Sequence, residues 1–133
     1  MLDEIKTVES TADLLYTESE IESAIDAMAE KINYLLNDRN PIVLCVMNGG
    51  VVITGKLLTR LNFPLTFDAI NASRYHNQTS GGQIQWLQKP DASLRDRTVL
   101  IVDDILDKGI TLEAIINYCK EQGASSVYSA VLI

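Results

Sequence analysis

The sequence is short of positive charge, cysteine and histidine, and it has no long apolar run. Eleven Lys and Arg stand against eighteen Asp and Glu, a net charge of −7. That balance opposes non-specific attraction to nucleic acid or an anionic membrane, so an anionic ligand would need a local cradle or a cation. The two cysteines, Cys45 and Cys119, fall inside apolar segments, where a thiol behaves as a small buried hydrophobe; both are expected to be reduced. The opening residues MLDEIKTVES are acidic and carry no apolar core, so no signal peptide is predicted. No apolar run approaches the ~18 residues that a membrane span needs. Together these absences predict a cytoplasmic protein. The single histidine, His76, has no oriented partner nearby and is expected to be an exposed loop residue.

What is present fits one domain over residues 1–133. With 47% hydrophobic and 22% charged residues the chain is globular rather than disordered. Thr17 and Glu20 form a capping box, and Ile21, Ile25, Met28, Ile32 and Leu35 then recur at steps of four and three, which predicts a helix to about Leu36. The run IVLCVM is apolar on both faces, the pattern of a strand in a covered parallel sheet. Asn48, Gly49 and Gly50 turn the chain into a helix, VVITGKLLTRL, expected to end near Asn62. LTFDAINA is a strand candidate, Ser73 to Gly82 a polar mobile loop, QIQWL a short strand and TVLIV another apolar one. TLEAIINYCKEQ predicts a helix closed by Gly123, and SVYSAVLI a last strand. Strands alternating with helices predict an α/β fold, a twisted parallel sheet with helices on both faces, Rossmann-like, whose ligands bind beyond the carboxyl ends of the strands.

Two loops fall at that edge. In VLIVDDILDKGIT, from Val99 to Thr111, an apolar strand runs into Asp103 and Asp104, adjacent acids that repel unless a diol or a divalent cation compensates them. Gly109 permits close backbone approach, and Thr111 opens a helix whose free amides and dipole favour a phosphate. A plain strand–turn–helix junction would also look this way, but it leaves the paired acids unexplained. Asp107 is placed to move a proton. The second loop, MNGG, offers glycine amides ahead of a helix, weak as a motif by itself. Side by side, the two loops suit a sugar carrying phosphate at both ends. A two-component receiver domain is excluded, because no aspartate follows Asp107 to accept a phosphoryl group.

VLIVDDILDKGIT resembles the phosphoribosyl-diphosphate motif of type I phosphoribosyltransferases. With MNGG and SRYHNQTSGG beside it, the chain is most similar to the hypoxanthine-guanine phosphoribosyltransferases of purine salvage. The resemblance implies that Asp103 and Asp104 bind the ribose hydroxyls and help to hold Mg²⁺ through water. It implies that Asp107 is the acid/base group facing N7 of the purine. Asp107, Lys108, Gly109, Ile110 and Thr111 would cradle the 5′-phosphate. Met47, Asn48 and Gly49 would line the pyrophosphate site, where the family often has a cis peptide, and Ser73, Arg74 and Tyr75 would belong to a loop that closes over the reaction.

Two departures stand out. Many members carry lysine where this chain has Asn48, and a Ser-Tyr pair where it has Ser73-Arg74-Tyr75; Arg74 is a candidate for the missing positive charge. The family's purine-reading lysine, stacking aromatic and late aspartate have no counterpart before Ile133, so the chain is expected to be a C-terminally truncated core. The implied substrates are phosphoribosyl diphosphate and a purine base, giving IMP or GMP, with no nucleic acid or membrane partner and a homo-oligomeric state, dimer or tetramer. The rivals are a transferase for xanthine and an RNA-binding regulator on the same fold, which lacks a basic stripe beyond the scattered Lys56, Arg60 and Arg74.

Overall fold

The computed structural model describes residues 17–74, 83–104 and 110–132. Its elements run α1 (Glu18–Leu36), β1 (Ile42–Val46), α2 (Val51–Leu58), β2 (Thr66–Arg74), β3 (Ile84–Gln88), β4 (Thr98–Asp103), α3 (Ile110–Glu121) and β5 (Ser126–Val131). They form one sheet in the order β3-β2-β1-β4-β5. Strands β1, β2, β4 and β5 are parallel, and β3 alone runs antiparallel, against β2. The sheet is therefore mixed rather than wholly parallel. Only nine residues separate β2 from β3, fewer than a parallel crossover needs, so β3 returns antiparallel, and it lies at the edge of the sheet.

Alternation along the central strands sorts the core into two layers. Val43, Leu100, Val102 and Ala130 pack against Ile25, Ala29, Ile32 and Leu36 of α1 and Ile53 and Leu57 of α2. On the other face Ile42, Leu44, Val46, Ile70, Val99 and Ile101 meet Ile115 and Cys119 of α3. All five residues of β1 are buried, which explains why that run shows no polar alternation. Each such aliphatic side chain contributes about 1.5–3 kcal/mol on full burial, so the central strands are held far more firmly than the loops they carry. At the β3 edge Trp86 leans on Tyr118 of α3, with ring centroids 5.0 Å apart and planes tilted by 38°.

Helix ends follow the chemistry of their residues. The Thr17 hydroxyl accepts from the Glu20 amide at 3.0 Å, and the Glu20 carboxylate accepts from the Thr17 amide at 2.8 Å. Gly123 closes α3 at φ +92°, and the Ala124 amide reaches back to the Cys119 carbonyl at 3.1 Å. Helix α2 stops at Leu58, one turn short of the expected end near Asn62. Asn33 of α1 claims the segment beyond it, donating to the Arg60 carbonyl at 3.0 Å and accepting from the Asn62 amide at 3.1 Å. Both cysteines are free and buried, as expected. Burial pushes the Cys119 thiol up to about 11, so it stays protonated at neutral pH.

An ion-pair cluster joins α1 to α2. Glu22 receives both Lys56 and Arg60, and Asp26 accepts from Arg60 Nε at 2.6 Å. Hydrogen bonds from Lys56 and Arg60 hold the Glu22 carboxyl below its ordinary value of 4.5. A folded-state pKa that is depressed stabilises above the ordinary value and is lost as pH falls through the folded one. Glu22→Gln should therefore flatten the decline of thermal stability below about pH 4.5, and superimposable acid melts of variant and wild type would refute the coupling. The cluster also engages two of the three basic residues that an RNA-binding reading would need free.

Candidate active site

The chain turns in opposite directions from β1 and β4. From β1 it passes through α2 to β2 on one side, and from β4 through α3 to β5 on the other. Neighbouring strands whose connections diverge in this way leave a crevice at their carboxyl ends. Both loops singled out in the sequence leave from that crevice: Met47–Gly50 follows β1, and Asp103 and Asp104 end β4.

The first loop is tied down at each end. The Met47 amide donates to the Ile70 carbonyl of β2 at 2.8 Å, and the Gly50 amide to the Val46 carbonyl at 2.8 Å. The Met47–Asn48 peptide is cis, as the resemblance implied. Gly50 is the N-cap of α2 and makes no side-chain cap bond.

The second glycine has a role that the sequence did not disclose. A β-carbon at Gly50 would lie 2.7 Å from the Val102 carbonyl oxygen, 2.8 Å from that of Val46 and 3.3 Å from the Asp103 α-carbon. The loop thus wedges between the ends of both strands. Only the doubled glycine of MNGG hinted at this.

Gly49 faces the acid pair. A β-carbon there would stand 2.8 Å from Asp104 Oδ1 and 3.2 Å from its Cγ. The Asp104 amide donates to Asp103 Oδ1 at 2.8 Å, which turns the chain sharply at the end of β4. Residues 103 and 104 are partly buried. Like charges about 4 Å apart near a protein surface repel by on the order of 4 kcal/mol, so a phosphate beside Asp104 calls for a neutralising cation. Adjacent carboxylates are the donor chemistry that suits Mg²⁺, which takes one or two carboxylates and fills its octahedron from water and phosphate. No cluster of three or more His, Cys, Asp or Glu able to cage a metal is found among the described residues.

Cys45 lies just beneath this loop, its sulfur 3.8 Å from that of Met47. Burial pushes its thiol above the ordinary range, and the charge of Asp103 adds to the rise. It is a packing residue, since the nucleophilic form of cysteine is the thiolate.

The remaining expected site residues divide. Helix α3 begins at Ile110, so Thr111 lies in its first turn, as a residue that opens the helix. The unpaired amides of a helix's first turn are what a phosphate accepts from. Asp107, Lys108 and Gly109 lie outside the described residues, as do Tyr75 and His76. Ser73 and Arg74 are not loop residues: they continue β2, paired with Gln85 and Ile84 of β3. A polar stretch suggests a loop, but β3 offers these two residues antiparallel partners beyond an irregularity at Asn71/Ala72, and cross-strand pairing overrides weak strand propensity. No helix among the described residues is long and apolar enough to cross a membrane.

Comparison with known proteins agrees with this arrangement. The family model "Phosphoribosyl transferase domain" matches residues 11–133. The chain is 31% identical over 117 residues to the hypoxanthine-guanine-xanthine phosphoribosyltransferase of Tritrichomonas foetus, covering 88% of this chain and 61% of that protein. It is 28% identical over 120 residues to the hypoxanthine-guanine phosphoribosyltransferase of Streptococcus pyogenes, covering 90% of this chain and 67% of the relative. The solved hypoxanthine-guanine phosphoribosyltransferase of L. donovani superposes with a TM-score of 0.80 at 27% identity, over 90% of this chain and 71% of that one. The chain thus spans about three fifths to two thirds of the length of these curated relatives.

Proposed function

Because the chain belongs to the phosphoribosyltransferase domain family, we propose that it transfers the 5-phosphoribosyl group from phosphoribosyl diphosphate to hypoxanthine or guanine. The products are IMP or GMP and pyrophosphate. One observation carries the reading: the glycine loop after β1 and the acid pair after β4 meet at the sheet's switch point, with Asp104 against Gly49.

In this reading Asp103 and Asp104 orient the ribose hydroxyls, and the first-turn amides of α3 with Thr111 hold the 5′-phosphate. The C1–O bond to diphosphate breaks as the C1–N bond to the base forms, and carbon 1 becomes cation-like between them. Amides of Met47–Gly50 receive charge that builds on the departing diphosphate. Mg²⁺, held through Asp103 and Asp104, would supply further neutralisation of that leaving group. Asp107 handles the proton at N7 of the base, and the chain between β2 and β3 excludes water from the activated sugar.

The protein works in the cytoplasm and as a homo-oligomer. The exposed Val51, Val52, Phe67 and Leu87 give apolar surface that self-association would cover. The functional test, run on the product of the whole open reading frame because the chain spans only 61–67% of its curated relatives, is pyrophosphate release from phosphoribosyl diphosphate and magnesium with hypoxanthine, guanine, xanthine or uracil. Release with hypoxanthine or guanine is expected. Release with xanthine alone or uracil alone would move the assignment, and release with none would overturn it.

A further inference from the structure

The two buried cysteines are not alike. Cys119 packs on the α3 face of the sheet, and burial alone raises its thiol. Cys45 alternates with Val43 along β1 and so turns to the opposite face, beneath α2. There its sulfur lies 3.8 Å from Met47 Sδ, and the Thr54 hydroxyl acts on it as a weak donor. Thr54 is only 1% exposed, and its Oγ1 makes no bond of ordinary geometry among the described residues. A hydroxyl sealed in an apolar layer without a full partner destabilises the fold, and valine would fill the same shape without it. Such a group in a folded core calls for a role. Its position supplies one. The Thr54 amide donates to the Gly50 carbonyl at 2.9 Å, which ties it to the last residue of the Met47–Gly50 loop. Through Cys45 its side chain reaches the first.

We propose that Thr54 and Cys45 are positioning residues for the diphosphate seat, an inference that rests on the function proposed above. Thr54 hydroxyl, Cys45 thiol and Met47 thioether form a buried column under the loop. The donors run in one direction, from the Thr54 hydroxyl to the Cys45 sulfur and from the Cys45 thiol to the Met47 sulfur. The column sets the depth of the Met47 side chain, and with it the aim of the loop's amides. Each contact is weak, because sulfur is a poor acceptor. A seat built from amides is nonetheless sensitive to small displacements, since its donors must be in place before the anion arrives. Cys45 stays a protonated thiol and takes no part in the chemistry.

The test uses the product of the whole open reading frame, as wild type, T54V, T54S, C45A and the double variant T54V/C45A. Isothermal titration calorimetry of inorganic pyrophosphate with magnesium reads the seat, and circular dichroism melts read the fold. T54V should melt at or above wild type and bind pyrophosphate about tenfold more weakly, the effect of 1.4 kcal/mol. T54S keeps the hydroxyl and gives up a buried methyl, so it should melt lower and bind close to wild type. A residue that only packed the core would give the reverse order, with affinity following stability. C45A should weaken binding, and adding T54V to it should weaken it no further, because Thr54 acts through Cys45. Unchanged affinity in T54V, affinities that follow the melts, or losses that add in the double variant would each overturn the column. Failure of folded wild type to bind either pyrophosphate or phosphoribosyl diphosphate would instead overturn the transferase reading.

Discussion

Asp107→Asn lowers turnover by about 10²–10⁴-fold, the contribution expected of a positioned acid or base, and changes the affinity for phosphoribosyl diphosphate far less. Asparagine keeps the size of the side chain and one accepting oxygen, but it is neutral and cannot exchange a proton at working pH. The residue sits in the stretch joining Asp103, at the end of β4, to Ile110, at the start of α3. Steady-state kinetics with hypoxanthine, together with equilibrium binding of the diphosphate, separates the two effects. Losses of equal size in turnover and in affinity would show that Asp107 binds rather than transfers a proton.

Gly50→Ala should be the most damaging single methyl group in the described chain. The added carbon meets two main-chain carbonyl oxygens, of Val46 and Val102, at 2.8 and 2.7 Å. Both belong to buried central strands and neither can rotate away, so the start of α2 must lift and the Met47–Gly50 loop with it. Overpacking of this kind costs about 1–3 kcal/mol, and here the displacement falls on the diphosphate seat. Loss of stability in urea and a tenfold or greater loss of pyrophosphate affinity, about 1.4 kcal/mol or more, are expected together. Gly55→Ala is the internal control. Nothing lies within 4 Å of a β-carbon at Gly55, in the middle of α2. There alanine should stabilise by about 0.5–1 kcal/mol, through helix propensity alone. Similar unfolding midpoints for the two variants would mean that the wedge at Gly50 has no energetic weight.

Much of this protein was written locally. The capping box at Thr17, the two-faced apolar runs of β1 and β4 and the stop at Gly123 depend on residues close together in the chain. Periodicity and capping respond to neighbours three or four positions away, so the sequence determined them by itself. The acid pair at a strand end and the glycine loop ahead of a helix were also visible, each as a separate and ambiguous signal.

Tertiary structure decided how those signals combine. It placed β4 beside β1, and so set Asp104 on Gly49 across 55 positions of sequence. It drew Ser73 and Arg74 out of a supposed loop into the ladder with β3, and it turned that strand antiparallel. Strand neighbours are chosen by how helices bury both sheet faces at once, a property of the assembled layers that no short window of residues contains.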